Sequence, residues 1–241
     1  MTALWAQARA EVRLTARRGE SVLLALGIPV ALLVFLDLTK VLPPPSGTAG
    51  FLVPGLLALA VMSTGMVSLG IATAFEREYQ VLKRLGATPL GRPRLVAAKV
   101  MSVAAIEVVQ SAVLALVGVV LGWGPAGGAG GALAALGAAA LGTAAFSGLG
   151  LVMAGRLRAD AVLAGANGLW LAMLLLGGMV FPLDKLPGGL RTVADGLPAA
   201  ALASTLRGTL AGSGVPLHYW LVLAAWAVVG PVAAAAAFRW E

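Results

Sequence analysis

The 241-residue chain is 60% hydrophobic and only 11% charged, and its mean hydropathy is +0.95. This composition excludes an ordinary soluble domain, because several apolar runs reach the roughly 20 residues that cross a bilayer as a helix. The net charge of +7 is not taken as a sign of nucleic-acid binding, since the basic residues cluster where cytoplasmic loops are expected. The chain has no cysteine, so disulfides, thiolate metal sites and cysteine nucleophiles are excluded.

Residues 1–20 are predicted to form an amphipathic helix at the membrane interface. Arg9, Arg13 and Arg17 are spaced four residues apart and share one side of such a helix, with apolar residues largely on another side. A basic stripe of this kind suits lipid phosphates, and docking to a protein partner is the alternative. The segment is too charged to be a signal peptide.

Six apolar segments follow, and each is predicted to be a transmembrane helix. The fold class is therefore all-α, a polytopic membrane protein with a single domain over residues 1–241. The six spans cover about residues 21–42, 51–75, 95–122, 133–154, 161–182 and 217–238. Six spans place both termini on one side of the membrane. Of the 17 basic residues, only four fall on the opposite side: Lys40, Lys185, Arg191 and Arg207. The positive-inside rule therefore predicts that both termini are cytoplasmic.

Residues 76–88, between spans two and three, form the most charged run of the chain and have the pattern of a short helix. Glu76 and Glu78 are expected in its first turn, and Lys83 and Arg84 in its last. This order suits the helix macrodipole at both ends.

The same helix is predicted to have one apolar side. Tyr79, Leu82 and Leu85 recur at roughly helical spacing, whereas Arg77 and Gln80 face elsewhere and are available to a partner. An ordinary solvated loop is the alternative. Such a loop needs neither this order of acids and bases nor an apolar side.

This stretch resembles the cytoplasmic coupling helix of ABC-2-type transporter permeases, in the branch of bacterial drug and antibiotic efflux. The resemblance rests on Glu76-Arg77-Glu78, on Leu82-Lys83-Arg84-Leu85 and on Thr88-Pro89-Leu90. It implies that the helix docks into a groove of a separate ATPase subunit. The contact residues implied are Glu76, Arg77, Glu78, Tyr79, Leu82, Lys83, Arg84 and Leu85. It also implies a second permease copy or a paralogue, because six spans form half of a pathway in this family.

Residues 183–216 hold several prolines and glycines, yet much of the stretch is apolar. Leu202, Leu206 and Leu210 recur every four residues in a predicted helix that is too short to span the membrane. We interpret the stretch as lying in, or dipping into, the outer leaflet. The resemblance agrees, since members of the family carry short re-entrant helices between the last two spans.

No ATP-binding site is expected in this chain. The P-loop motif ends in Gly-Lys-Ser/Thr, and no lysine here follows a glycine. ATP and Mg²⁺ are therefore expected on a partner ATPase, and the chain itself is expected to hold no cofactor. The only histidine, His218, lies beside Tyr219 and Trp220 and is interpreted as an interfacial side chain. A metal site is not expected, because it needs more ligands than these.

Three polar residues inside the spans are candidates for the pathway or a gate: Glu107, Gln110 and Asn167. Glu107 is the only ionisable residue well inside a span, and Gln110 follows three residues later. Exposing a carboxyl group to lipid is unfavourable by about a few kcal/mol, so Glu107 is expected to face the bundle interior, a dimer seam or a wet pathway. A cargo contact and a structural hydrogen bond are equally compatible with this position.

Three classes of function are considered. The first is the permease subunit of an ABC exporter for a hydrophobic or amphipathic cargo, in a bacterial cell membrane. The second is an ion-coupled secondary transporter that uses Glu107. The third is an intramembrane enzyme, which the missing nucleophile and base disfavour. The first is preferred. Its expected partners are an ABC ATPase, a second permease subunit and the lipid bilayer, and no nucleic acid.

Overall fold

The computed structural model describes residues 19–39, 48–86 and 91–237, and within these ranges the chain is helical with no strand. The helices are α1 (Gly19–Thr39), α2 (Thr48–Met62), α3 (Leu69–Glu78), α4 (Val81–Gly86), α5 (Arg92–Val120), α6 (Gly128–Arg156), α7 (Ala159–Leu176), α8 (Gly188–Asp195), α9 (Pro198–Ala211) and α10 (Leu217–Ala237). A π-helical turn, Ser63–Ser68, joins α2 to α3, and a 3₁₀ turn, Leu183–Lys185, precedes α8. Residues 1–18 of the predicted interfacial helix lie outside these ranges.

Five helices of the described part are long and apolar enough to cross a membrane: Ala49–Glu78, Pro93–Val120, Gly128–Arg156, Ala159–Leu176 and Leu217–Ala237. They correspond to the predicted spans two to six. The predicted first span overlaps α1, in which Gly27–Thr39 forms a shorter apolar helix. The prediction of an all-α, polytopic membrane protein is therefore confirmed, while by this measure the described part has five spans and one shorter helix.

Helix α6 packs against α2, α3, α5, α7, α9, α10 and the π turn, and its glycines bring two neighbouring backbones into direct contact with it. A Cβ atom on Gly148 would lie 2.3 Å from the carbonyl carbon of Gly230 in α10. A Cβ atom on Gly150 would lie 2.6 Å from the carbonyl oxygen of Met66 in the π turn. Two residues apart means roughly opposite sides of a helix, so α6 is clamped between α10 and the π turn. In lipid, such close packing of small residues is a main source of helix association.

Helix α9, the main element of the predicted re-entrant stretch, is inserted among the spans and packs against α2, α6 and α10. Leu202, Leu206 and Leu210 are all buried, with at most 9% of each side chain exposed. The apolar spacing therefore identified a real packing face. Most other residues of α9 are buried too, so the helix is part of the bundle as well as a connection between two spans.

Glycines also fix the end of α9 against the start of α6. A Cβ atom on Gly127 would lie 2.0 Å from the carbonyl oxygen of Thr209, and the Gly127 amide donates to the Leu210 carbonyl at 3.0 Å. Gly212 then ends α9 in the left-handed conformation, with φ of 68°. Glycine adopts this conformation without the steric cost that other residues carry.

Replacing Gly148 by alanine should destabilise the bundle, because the new methyl group meets the backbone of α10. Overpacking of this kind costs about 1–3 kcal/mol. We expect Gly148→Ala to lower the temperature at which the detergent-purified protein loses its monodisperse peak. The control is Gly137→Ala in the same helix, where a Cβ atom would have no neighbour within 4 Å. Equal melting of the two variants would contradict close contact at Gly148.

Candidate functional site

The charged stretch after span two is not one helix but the end of one helix, a turn and a second short helix. Helix α3 continues without a break to Glu78, so Glu76 and Glu78 lie in its last turn rather than in the first turn of a new helix. Gln80 then adopts φ of 60°, and α4 begins at Val81. The predicted helix start at Glu76 therefore differs from the structure, and the macrodipole argument for these acids does not hold.

The break is explained by the burial of Leu82. This side chain is 1% exposed and packs in a cluster with Leu69, Leu95 and Leu151, from three different helices. The left-handed conformation costs a residue such as Gln80 about 1–2 kcal/mol. Burying a leucine stabilises by about 1.5–3 kcal/mol, which offsets that cost. The chain therefore turns at Gln80 so that Leu82 can anchor α4 to the bundle.

Glu76 forms an ion pair with Lys99 of α5. The Lys99 ammonium donates to Oε2 of Glu76 at 2.7 Å, and the two side chains are 1% and 19% exposed. Glu76 was predicted to contact an ATPase. In the structure, the Glu76 carboxylate instead neutralises the buried Lys99 ammonium of the same chain. The pair joins the end of span two to the first part of span three.

Arg77 makes a second internal connection. Its guanidinium donates to the backbone carbonyl of Leu157, in the turn between α6 and α7. Arg77 was expected to be available to a partner, and the structure instead uses it to hold two turns together. This contact was hidden in the sequence, because the acceptor is a backbone oxygen 80 residues away.

The exposed part of the stretch is therefore smaller than the predicted contact set. Tyr79 is 69% exposed and stacks on Phe75 with ring centroids 6.0 Å apart. Val81 is 40% exposed, and Glu78 and Lys83 are exposed as well. We call the residues Glu78, Tyr79, Gln80, Val81 and Lys83 the exposed turn. The side chains of Arg84 and Leu85, and residues 87–88 of the predicted helix, lie outside the described part.

A groove of about 310 Å³ lies beside the exposed turn. The residues that line it are Ala74, Arg77, Glu78, Arg158, Ala159 and Asp160. Two bases and two acids thus face one small space between the end of α3 and the start of α7. Sequence reasoning missed the contribution of residues 158–160, whose only signal was a short basic loop.

A second cluster of polar side chains lies inside the bundle, around the π turn. Gln110 accepts a hydrogen bond from the Thr64 hydroxyl at 2.9 Å, and both residues are buried. Ser63, next to Thr64, accepts a hydrogen bond from the Trp170 indole at 2.8 Å. Because π turns often occur at functional sites, the middle of span two is a second candidate functional region.

Glu107 joins the same cluster from α5. It is 5% exposed, and its Oε2 is hydrogen-bonded to the Thr143 hydroxyl of α6. We call the set Ser63, Thr64, Glu107, Gln110, Thr143 and Trp170 the polar layer. The layer links α5, α6, α7 and the π turn through side chains alone. The placement of Glu107 and Gln110 in the bundle interior agrees with the expectation from their spacing.

Asn167, the third predicted pathway residue, is not part of the polar layer. It is exposed on α7, and its amide donates to the Leu163 carbonyl of its own helix at 2.7 Å. Trp170, three residues later, is the residue of α7 that reaches the layer. The signal for Trp170 was available, since an indole N–H in an apolar span needs an acceptor.

Breaking the Glu76–Lys99 pair should destabilise the protein strongly. Glu76→Gln leaves the buried Lys99 ammonium without this carboxylate, and breaking a buried pair typically costs about 3–5 kcal/mol. Because Glu76 is partly exposed, we expect the lower part of that range, measured as a loss of thermal stability in detergent. Adding Lys99→Met should recover much of the loss.

Glu78→Gln serves as the control, since Glu78 is exposed and lies only two residues away. It should change stability by no more than about 0.5 kcal/mol. A double variant that is as unstable as the sum of its single variants would mean that the pair contributes nothing as a pair.

Comparison with known families agrees with this arrangement of apolar spans and a charged turn. A family model described as ABC-2 type transporter matches residues 2–211, which include everything from α1 to the end of α9. No curated protein matches the chain significantly. Within the described ranges, no group of three or more histidine, aspartate or glutamate side chains could hold a metal ion. The chain therefore belongs to the ABC-2 type transporter family, as the membrane-embedded kind of subunit that this family comprises.

Proposed function

We propose that this chain is the permease subunit of an ABC exporter in a bacterial cell membrane. Two such subunits form the pathway, and a separate ATPase drives export of a hydrophobic or amphipathic cargo. The observation that carries the proposal is the exposed turn at the end of span two, in a chain of the ABC-2 type transporter family.

The exposed turn has the composition of a protein-binding surface. Tyr79 presents most of its ring to solvent, and Val81 adds apolar area next to it. Tyrosine is enriched among the residues that dominate binding energy at interfaces. Leu82 holds the turn in place from beneath, so the surface is positioned before a partner arrives. Preorganisation of this kind lowers the entropic cost of binding.

The groove beside the turn gives the proposed contact a charge pattern. Arg158 suits a carboxylate of the partner, while Glu78 and Asp160 suit a base. Complementary charges of this kind fix orientation and suppress wrong partners more than they add affinity. The proposed ATPase contact is therefore the exposed turn together with residues 158–160, rather than residues 76–85 alone.

Motion of the ATPase has a direct route into the membrane in this proposal. The end of α3 is tied to α5 through Lys99 and to the α6–α7 turn through Arg77. A displacement of the exposed turn would therefore move the ends of spans two to five together. The π turn precedes α3 in the same span, and the polar layer surrounds it where that span meets α5, α6 and α7.

An ATP-driven mechanism is favoured over ion-coupled secondary transport. A coupling ion has to reach its site from water, and Glu107 is almost fully buried here. The chain has no P-loop lysine, so hydrolysis is assigned to the partner. A hydrophobic or amphipathic cargo is compatible with the apolar character of the spans.

The exposed turn is tested by purifying the tagged chain from membranes of its source organism. We expect an ATPase with a P-loop to co-purify with the native chain. The double variant Tyr79→Ser with Val81→Ser should reduce the amount recovered at least tenfold, since it removes the apolar contact area. Mass spectrometry identifies the ATPase, and gel densitometry measures the ratio.

The matched control is Leu190→Ser with Val193→Ser, which removes exposed apolar side chains from α8. It should leave the ratio unchanged. If no P-loop protein accompanies the native chain, the proposed function fails. If the ATPase accompanies both double variants equally, only the assigned contact surface is wrong.

Orientation is tested with single cysteines, because the native chain has none. The start of α7 lies on the side predicted to be cytoplasmic, and Asp160 is exposed there whereas Ala159 is only 2% exposed. We expect Ser213→Cys to react with an impermeant thiol reagent in intact cells, and Asp160→Cys to react only after permeabilisation. Labelling of Asp160→Cys in intact cells would contradict cytoplasmic termini.

A further inference from the structure

Among the residues that the structure describes, Glu107 forms no ion pair. The helices that pack most closely against α5 are α1, α2, α6 and α10, together with the π turn. Helices α3 and α4 also contact α5, through the Glu76–Lys99 pair and the cluster that holds Leu82. The ionisable residues of these elements occur near helix ends: Glu20 and Asp37 in α1, Arg156 in α6, His218 and Tyr219 in α10, and the charged run that begins at Glu76 at the end of α3 and continues into α4. On α5 itself the nearest base is Lys99, eight residues or about 12 Å along the axis, and it is paired with Glu76.

The hydrogen bonds around Glu107 are too few for an ionised carboxylate. Its Oε1 is buried and has no partner among the described residues. Its Oε2 meets only the Thr143 hydroxyl. That hydroxyl carries a single hydrogen and also lies 2.8 Å from the Ala139 carbonyl, which can only accept. Both contacts are satisfied at once if Thr143 donates to Ala139 and the Glu107 carboxyl donates to Thr143.

Free energy favours the same assignment. An ionised carboxylate in an apolar interior needs a counter-charge or several donors, and Glu107 has neither within the described part. A neutral carboxylic acid needs only one acceptor for its hydroxyl hydrogen. Leaving its carbonyl oxygen without a hydrogen-bond donor costs much less than leaving a charged carboxylate oxygen without one. Burial of 95% of the side chain, given its 5% exposure, leaves little contact with water to stabilise a charge.

We propose that Glu107 is a proton-binding site inside the membrane bundle. In this packed conformation its carboxyl group carries a proton and donates a hydrogen bond from α5 to Thr143 of α6. The polar layer is thus uncharged when the helices are packed.

Infrared spectroscopy of the purified protein in lipid membranes tests this directly. The difference spectrum between the native chain and Glu107→Gln is recorded at neutral pH in H₂O and in D₂O. We expect the variant to lose a carbonyl-stretching band of a protonated carboxylic acid, a band that shifts in D₂O. The matched control is Glu78→Gln, whose exposed carboxyl should lose carboxylate bands instead.

A second variant keeps the test decisive if Glu107→Gln folds poorly. Thr143→Val removes the acceptor, so the carboxylic acid band of Glu107 should move to higher frequency without loss of intensity. Loss of carboxylate bands in Glu107→Gln would overturn the proposal. The proposal would also be overturned if the carboxylic acid bands of Thr143→Val were the same as those of the native protein.

Discussion

Direct backbone contact along α6 is the constraint on which the rest of the bundle depends. Hydrophobic burial cannot hold helices together in lipid, so close packing must supply much of the association energy. Gly148 and Gly150 provide it on opposite sides of α6, against α10 and the π turn. A side chain at either position would push a neighbouring helix outward. Thr143, on the same helix, makes the contact with Glu107 of α5.

The two clusters of polar residues follow from this packing. Once α6 is fixed against the π turn, the Thr64 and Ser63 hydroxyls meet partners from α5 and α7. At the other end of α3, the Glu76–Lys99 pair and the Arg77 contact tie this helix to α5 and to the turn between α6 and α7. The exposed turn is then what remains to face a partner. A turn held this firmly can pass a displacement to the spans instead of absorbing it.

Much of the fold was predictable because a span needs only length and apolarity, and both are local properties. The spacing of Leu202, Leu206 and Leu210 likewise identified the buried face of α9. The break at Gln80 was not predictable, because it depends on where Leu82 finds its pocket. The roles of Glu76 and Arg77 were missed for the same reason, since their partners lie 23 and 80 residues away. The depth of Glu107 could be inferred, but its single hydrogen-bonded partner on α6 could not.

Hydrogen exchange of the complex with its ATPase tests the central claim most directly. That claim is that the partner binds the exposed turn and residues 158–160. Backbone amides of these two segments should exchange more slowly in the complex than in the isolated chain, while those of the loop at Ser213 and Gly214 should not change. Equal exchange of both segments with and without the ATPase would contradict the account.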